Sequence, residues 1–143
     1  MKSIFEFYPT TEPSLEDATR YIQALFFIAG LDGVHSVEES LIKQLVEAKG
    51  WPLEAYNAAK RSPITDIESL GLPNQVKIVF APYLIRDLFA LAYAHDSLSL
   101  QEQSEIRTIA ENLGVDHSRV VAIQDAVRSQ LSALQKWGAA LNS

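Results

Sequence analysis

Apolar residues recur along this chain at helical spacing. Near the C-terminus, Val120, Ile123, Val127, Leu131 and Leu134 follow one another at steps of 3, 4, 4 and 3, which places them on one face of a helix. Strand-like alternation is nearly absent. Ile4-Phe5-Glu6-Phe7-Tyr8, ended by Pro9, reads as a short extended arm, and residues 1–13 are taken as an N-terminal arm before a helical domain over 14–143.

Punctuation divides that domain. Ser14 is placed to cap a helix to about Leu31, with Glu16 and Asp17 favourable in its first turn. Ser36-Val-Glu-Glu39, Thr65-Asp-Ile-Glu68 and Ser99-Leu-Gln-Glu102 have the spacing of capping boxes, in which a hydroxyl and a carboxylate satisfy each other's backbone amides. Gly50 and Gly114 stand where helices stop. Pro52 opens a short helix through about Lys60. Pro73 opens a long pattern through His95, which Pro82 should kink or break. Asp116 caps a last helix, ended by Gly138. The expected fold is an all-α, single-domain bundle of about seven or eight helices. Arg61–Pro73 is the one linker candidate, and it is too short to separate two stable domains, because halves of about 60–70 residues have marginal cores.

The chain also repeats itself. With Asp32 set on Asp96, an offset of 64, 19 positions align without a gap, and six are identical: Asp32/Asp96, Glu38/Glu102, Ser40/Ser104, Ile42/Ile106, Glu47/Glu111 and Gly50/Gly114. In each copy an apolar helix (Leu25-Phe-Phe-Ile-Ala, Leu88-Phe-Ala-Leu-Ala) runs into an Asp, then a short loop, an acidic helix start, an amphipathic helix and a Gly stop. Two helices apolar on all sides belong side by side in the core. The expectation is two pseudo-repeated hairpins, about 15–60 and 82–125. An Asp just past a helix C-terminus opposes the dipole by roughly 0.3–1 kcal/mol. Asx-turn chemistry accounts for one such Asp; two at matched positions invite a functional reason as well.

Phe26-Phe-Ile-Ala-Gly-Leu-Asp-Gly-Val-His-Ser-Val-Glu-Glu39 resembles the first acidic loop of the tellurite-resistance protein B (TerB) family. Leu91-Ala-Tyr-Ala-His-Asp-Ser-Leu-Ser-Leu-Gln-Glu-Gln103 resembles the second, and Ile106-Arg-Thr-Ile-Ala-Glu-Asn-Leu-Gly-Val-Asp116 resembles the family's usual ending. The resemblance spans about residues 15–125. It implies an all-helical fold of two repeated hairpins, a bacterial source, a place in tellurite-resistance and stress-response clusters, and no catalytic activity. It also implies a divalent-metal site in the acidic loops. The family's loop Asp falls on Asp32 and Asp96, and its acid six positions later falls on Glu38 and Glu102. Glycine after Asp is kept at Gly33 but is Ser97 in the second copy, which is also less acidic than the family's usual loop.

Asp32, Glu38, Asp96 and Glu102 are therefore the candidate metal ligands, with His35, Glu39 and His95 as weaker candidates. Carboxylate oxygens suit Ca²⁺, Mg²⁺ or Mn²⁺; imidazoles beside them would admit Zn²⁺, a lesser expectation. The loop is not an EF-hand, since Val34 stands where a third-position oxygen is needed. Each acid has a plainer use. Glu102 and Glu39 are the closing residues of capping boxes, and an acid in a first helical turn is favourable in any case. His117 stands at the start of the last helix.

Charge and composition narrow the rest. Eighteen acidic and twelve basic residues give a net charge of −6, which argues against nucleic acid and anionic membrane surfaces. No cysteine is present, so disulfides and thiolate chemistry are excluded. The longest apolar runs, Ala24–Leu31 and Leu88–Ala94, fall far short of the ~20 residues that span a bilayer, and the start lacks a signal peptide's pattern. The expectation is a soluble, cytoplasmic protein without integral membrane association. Phosphate-loop, dinucleotide, nucleophile-elbow and HExxH patterns are absent, so no enzyme and no organic cofactor is expected. The alternative to a metal-binding role is an interaction module with an unknown protein partner. Trp51 and Trp137 are its candidate anchors, and a homodimer is compatible with it.

Overall fold

The computed structural model describes residues 13–30, 36–64, 74–93 and 99–142. Every regular element among them is a helix: α1 (Leu15–Gly30), α2 (Ser36–Ala48), α3 (Leu53–Arg61), α4 (Asn74–Ala92), α5 (Leu100–Asn112) and α6 (His117–Asn142). The all-α expectation holds for these residues. The arm over 1–12 and the Thr65–Glu68 capping box lie outside them.

Helix starts follow the expected chemistry. Ser14 Oγ accepts the Asp17 amide at 3.1 Å. Ser99 and Glu102 form a complete capping box: Ser99 Oγ accepts the Glu102 amide at 3.0 Å and Glu102 Oε1 accepts the Ser99 amide at 3.1 Å. Asp116 Oδ1 accepts the Arg119 amide at 2.9 Å and the Ser118 hydroxyl at 2.7 Å. Pro52 stands at the cap of α3, one place before its first helical residue.

Two expectations about breaks are corrected. α4 runs as one helix through Pro82. Proline there removes one backbone donor, yet every residue from Leu84 to Ala92 is buried, and that packing outweighs one missing bond. α6 continues past Gly138 to Asn142. A helical glycine costs only about 1 kcal/mol relative to alanine, and here it weakens the helix without ending it.

Helices α2 and α5 have equal lengths, at an offset of 64 residues. Their C-terminal ends match bond for bond. Gly50 and Gly114 take left-handed φ values of 70° and 77°. Their amides bond Glu47 O and Glu111 O, and the next amides, of Trp51 and Val115, bond Val46 O and Ala110 O. This paired 5→2 and 6→1 pattern satisfies carbonyls the helix leaves open, and only glycine adopts its φ cheaply.

α1 and α4 pack directly on each other and carry most of the remaining packing. α1 also meets α2, α3 and α5, while α4 meets α2, α5 and α6. α4 is apolar nearly all round in its second half, as a central helix requires. α1 is more amphipathic. Ala18, Tyr21, Ile22, Leu25, Ile28 and Ala29 form its buried face, while Phe26 and Phe27 are only partly covered against the core. Ile42, Leu45, Ile106 and Ile109 close the core from α2 and α5. Each such side chain contributes roughly 1.5–3 kcal/mol by leaving water.

Candidate functional site

Asp32, His35, His95 and Asp96 lie outside the described residues, between α1 and α2 and between α4 and α5. Glu38 is in the first turn of α2, and its side chain is likewise outside the described set. Glu39 and Glu102 are described in full. Glu102 is buried, 2% exposed, with one carboxylate oxygen on the Ser99 amide, so it rigidifies the start of α5. Glu39 reaches across to α3, where its Oε1 accepts from the Lys60 ammonium and from the Tyr56 hydroxyl at 3.4 Å. The Lys60 hydrogen bond and charge hold the Glu39 carboxyl below its ordinary range and raise the Lys60 ammonium. Burial, then the Glu39 charge, raises the Tyr56 hydroxyl. His117 is exposed at the first position of α6.

Among the described residues, the strongest electrostatic feature stands between α1, α4 and the end of α2. Asp87 is fully buried. Its Oδ2 accepts the Tyr21 hydroxyl at 2.5 Å and meets Lys49 Nζ at 2.8 Å. Its Oδ1 accepts from Arg86 Nε at 2.9 Å and meets the same guanidinium's terminal nitrogen at 2.9 Å. Lys49 Nζ also lies 5.7 Å from the ring centres of both Tyr21 and Trp51, within reach of cation–π attraction. Trp51 stands edge-on to Tyr21 at 4.9 Å and to Phe80 at 6.0 Å, so it packs, partly buried, against the core. Burial pushes the Lys49 ammonium below its ordinary pKa despite Asp87. Burial, reinforced by the Asp87 charge, pushes the Tyr21 hydroxyl well above its own.

Sequence reasoning missed this cluster. The available signal was Arg86-Asp87, the one charged pair inside the otherwise apolar Phe80–Ala92 stretch. In repeat register, Lys49 stands opposite Leu113 and Tyr21 opposite Ile85, so the cluster joins the two halves and is not duplicated by the repeat. No group of three or more His, Asp or Glu among the described residues is disposed to hold a metal ion. No helix among them is long and apolar enough to cross a membrane.

The fold has a counterpart in a solved structure. A tellurite resistance protein from Nostoc punctiforme PCC 73102 is similar to this chain at a TM-score of 0.69, with 19% sequence identity, over 90% of this chain and 82% of that one. The chain has a TerB-like fold. No family model and no curated protein matches the sequence, so at 19% identity the likeness concerns the fold. It accords with the resemblance carried by the acidic-loop motifs.

Proposed function

We propose that this chain is a non-catalytic, stress-associated binding protein of the tellurite-resistance kind, whose two acidic loops hold one divalent cation. The observation that carries the reading is the TM-score of 0.69 to a tellurite resistance protein over 90% of the chain. The direct packing of α1 on α4, and helices α2 and α5 of equal length and identical C-terminal bonding at an offset of 64, support a pseudo-repeat with Asp32 and Asp96 in equivalent places.

The donor set fits a hard cation such as Ca²⁺, Mg²⁺ or Mn²⁺, because its groups are carboxylates. Asp32, Glu38, Asp96 and Glu102 would supply the oxygens, with His35, Glu39 and His95 as weaker candidates beside them. Glu102 also bonds the Ser99 amide, and Glu39 bonds Lys60 and Tyr56, so both acids help to hold the flanking helices. A cytoplasmic bacterial setting belongs to the same reading.

Thermal unfolding of EDTA-stripped protein tests it, with and without millimolar Ca²⁺, Mg²⁺, Mn²⁺ or Zn²⁺, beside an Asp32→Asn/Asp96→Asn variant. A ligand at a hundredfold excess over Kd stabilises by about 2.7 kcal/mol, a rise in midpoint on the order of 5–10 °C for a domain this size. The rise is expected in the wild type and not in the variant. If no ion moves either protein, the metal reading fails.

A second reading, an interaction module, is favoured by the exposed end of α6. There Leu134, Trp137 and Leu141, spaced at 3 and 4, are 55%, 65% and 75% exposed.

A further inference from the structure

A cleft of about 360 Å³ opens between α4 and α6. Its lining includes Tyr83 and Arg86 from α4, and Arg119, Ile123, Val127 and Gln130 from α6. The volume lies in the range of small-ligand pockets, and the wall combines apolar surface with a few convergent polar groups, as such pockets do. Among the described residues, the charged side chains lining it are both arginines. That is a local exception on a chain of net charge −6.

The two arginines are held differently. Arg86 is anchored. Asp87 takes its Nε and a terminal nitrogen, each at 2.9 Å, and the guanidinium lies 5.3 Å over the Tyr83 ring. Its position is therefore set before any ligand arrives, which lowers the cost of binding. Arg119 is exposed in the first turn of α6, where the positive end of the helix dipole adds to its charge. Asp116, the acid nearest to it in sequence, has its carboxylate on the Ser118 hydroxyl and the Arg119 amide. Guanidinium groups pair with carboxylates through parallel hydrogen bonds, while Ile123 and the Tyr83 ring offer a face only an apolar body can use.

We propose that the α4–α6 cleft is a binding site for a small organic carboxylate with an apolar or aromatic body, its carboxylate on Arg119 and its body against Tyr83 and Ile123. Tyr93, at the end of α4, accepts from Gln124 at 3.1 Å and from Arg128 at 3.4 Å, so the two walls are fastened together beside the site.

The test is titration of the full chain with cinnamate by calorimetry at low salt. Cinnamamide supplies the same shape without charge, and inorganic phosphate supplies charge without a body. Saturable cinnamate binding is expected, with cinnamamide and phosphate each weaker by about tenfold or more. Arg119→Gln, at an exposed helix position, should weaken cinnamate by about tenfold, and Ala126→Trp, on the α6 wall of the cleft, should abolish binding by filling it. Both variants should keep the wild-type helical circular dichroism. The proposal is overturned if cinnamate fails to saturate by about 10 mM. It is equally overturned if either control binds as tightly as cinnamate, or if Arg119→Gln, folded as the wild type, binds cinnamate unchanged.

Discussion

Tyr21 and Asp87, 66 residues apart in the chain, share a 2.5 Å hydrogen bond that ties the two central helices together inside the core. The tyrosine donates, and Asp87 receives two cations on its other contacts. Buried ion pairs stabilise little on balance, because desolvation offsets the attraction, but removing one partner leaves the others uncompensated. Asp87→Ala should therefore cost about 3–5 kcal/mol, a large part of the 5–15 kcal/mol a domain ordinarily has. Tyr21→Phe should cost about 1.5 kcal/mol, the worth of one hydrogen bond to a charged group. Lys49→Met should stay within about 1 kcal/mol of wild type, since Arg86 still neutralises Asp87 while a desolvated ammonium is gone. Urea unfolding of the three variants checks this order, and a Lys49→Met protein as weak as Asp87→Ala refutes it.

The same cluster sets an alkaline signature. The Lys49 pKa is lowered from 10.5 in the folded chain. As pH rises through that lowered value toward 10.5, the folded state releases a proton the unfolded chain still holds, so stability rises. The Tyr21 pKa is raised well above 10.0. Above pH 10.0 the unfolded tyrosine ionises first, so stability falls as pH rises further. Unfolding free energies at stepped pH should show the rise missing in Lys49→Met and the alkaline fall shallower in Tyr21→Phe. Identical slopes in all three proteins would remove the cluster from the pH response.

Gly50 and Gly114 offer a test of equivalence between the two hairpins. At both, an added Cβ meets nothing within 4 Å, so the cost of a side chain is the left-handed backbone alone. Ala at either position should cost about 1–2 kcal/mol, the two costs should agree, and the double variant should show their sum. Asn should cost less than Ala at both, because it tolerates this conformation. Unequal costs would mean that the two ends are under different strain despite their matching bonds.

How far the sequence was readable follows from which forces act locally. Ser14, Ser99 and Asp116 cap helices within three residues of themselves, and Gly50 and Gly114 stop them within five, so their patterns sufficed. The breaks expected at Pro82 and Gly138 did not occur, because a break depends on what the helix packs against. Leu84–Ala92 is buried on every side, which no local rule states. The Asp87 cluster needs Tyr21, Lys49 and Arg86 to arrive from three helices, and only Arg86 is near in sequence. Among the site residues, Glu102 was legible as the closing member of a capping box, whereas the engagement of Glu39 by Lys60 on α3 was not, since it joins side chains 21 residues apart.

The exposed end of α6 separates stability from association. Leu134, Trp137 and Leu141 are mostly solvent-accessible and lie beyond Leu131, the last residue of α6 packed against the core. Surface positions of this kind shift stability by no more than about 0.5 kcal/mol. A Leu134→Ser/Trp137→Ser variant should therefore unfold at the wild-type urea midpoint. Exposed apolar stripes with a tryptophan at their centre are the usual composition of an association surface. If α6 serves the interaction reading, sedimentation velocity should show the wild type self-associating with rising concentration, or a partner retained from lysate, and the variant should lose either. A variant that melts early would place Trp137 in the stability of the domain instead. A variant that folds normally and associates as the wild type does would take the end of α6 out of the interaction reading altogether.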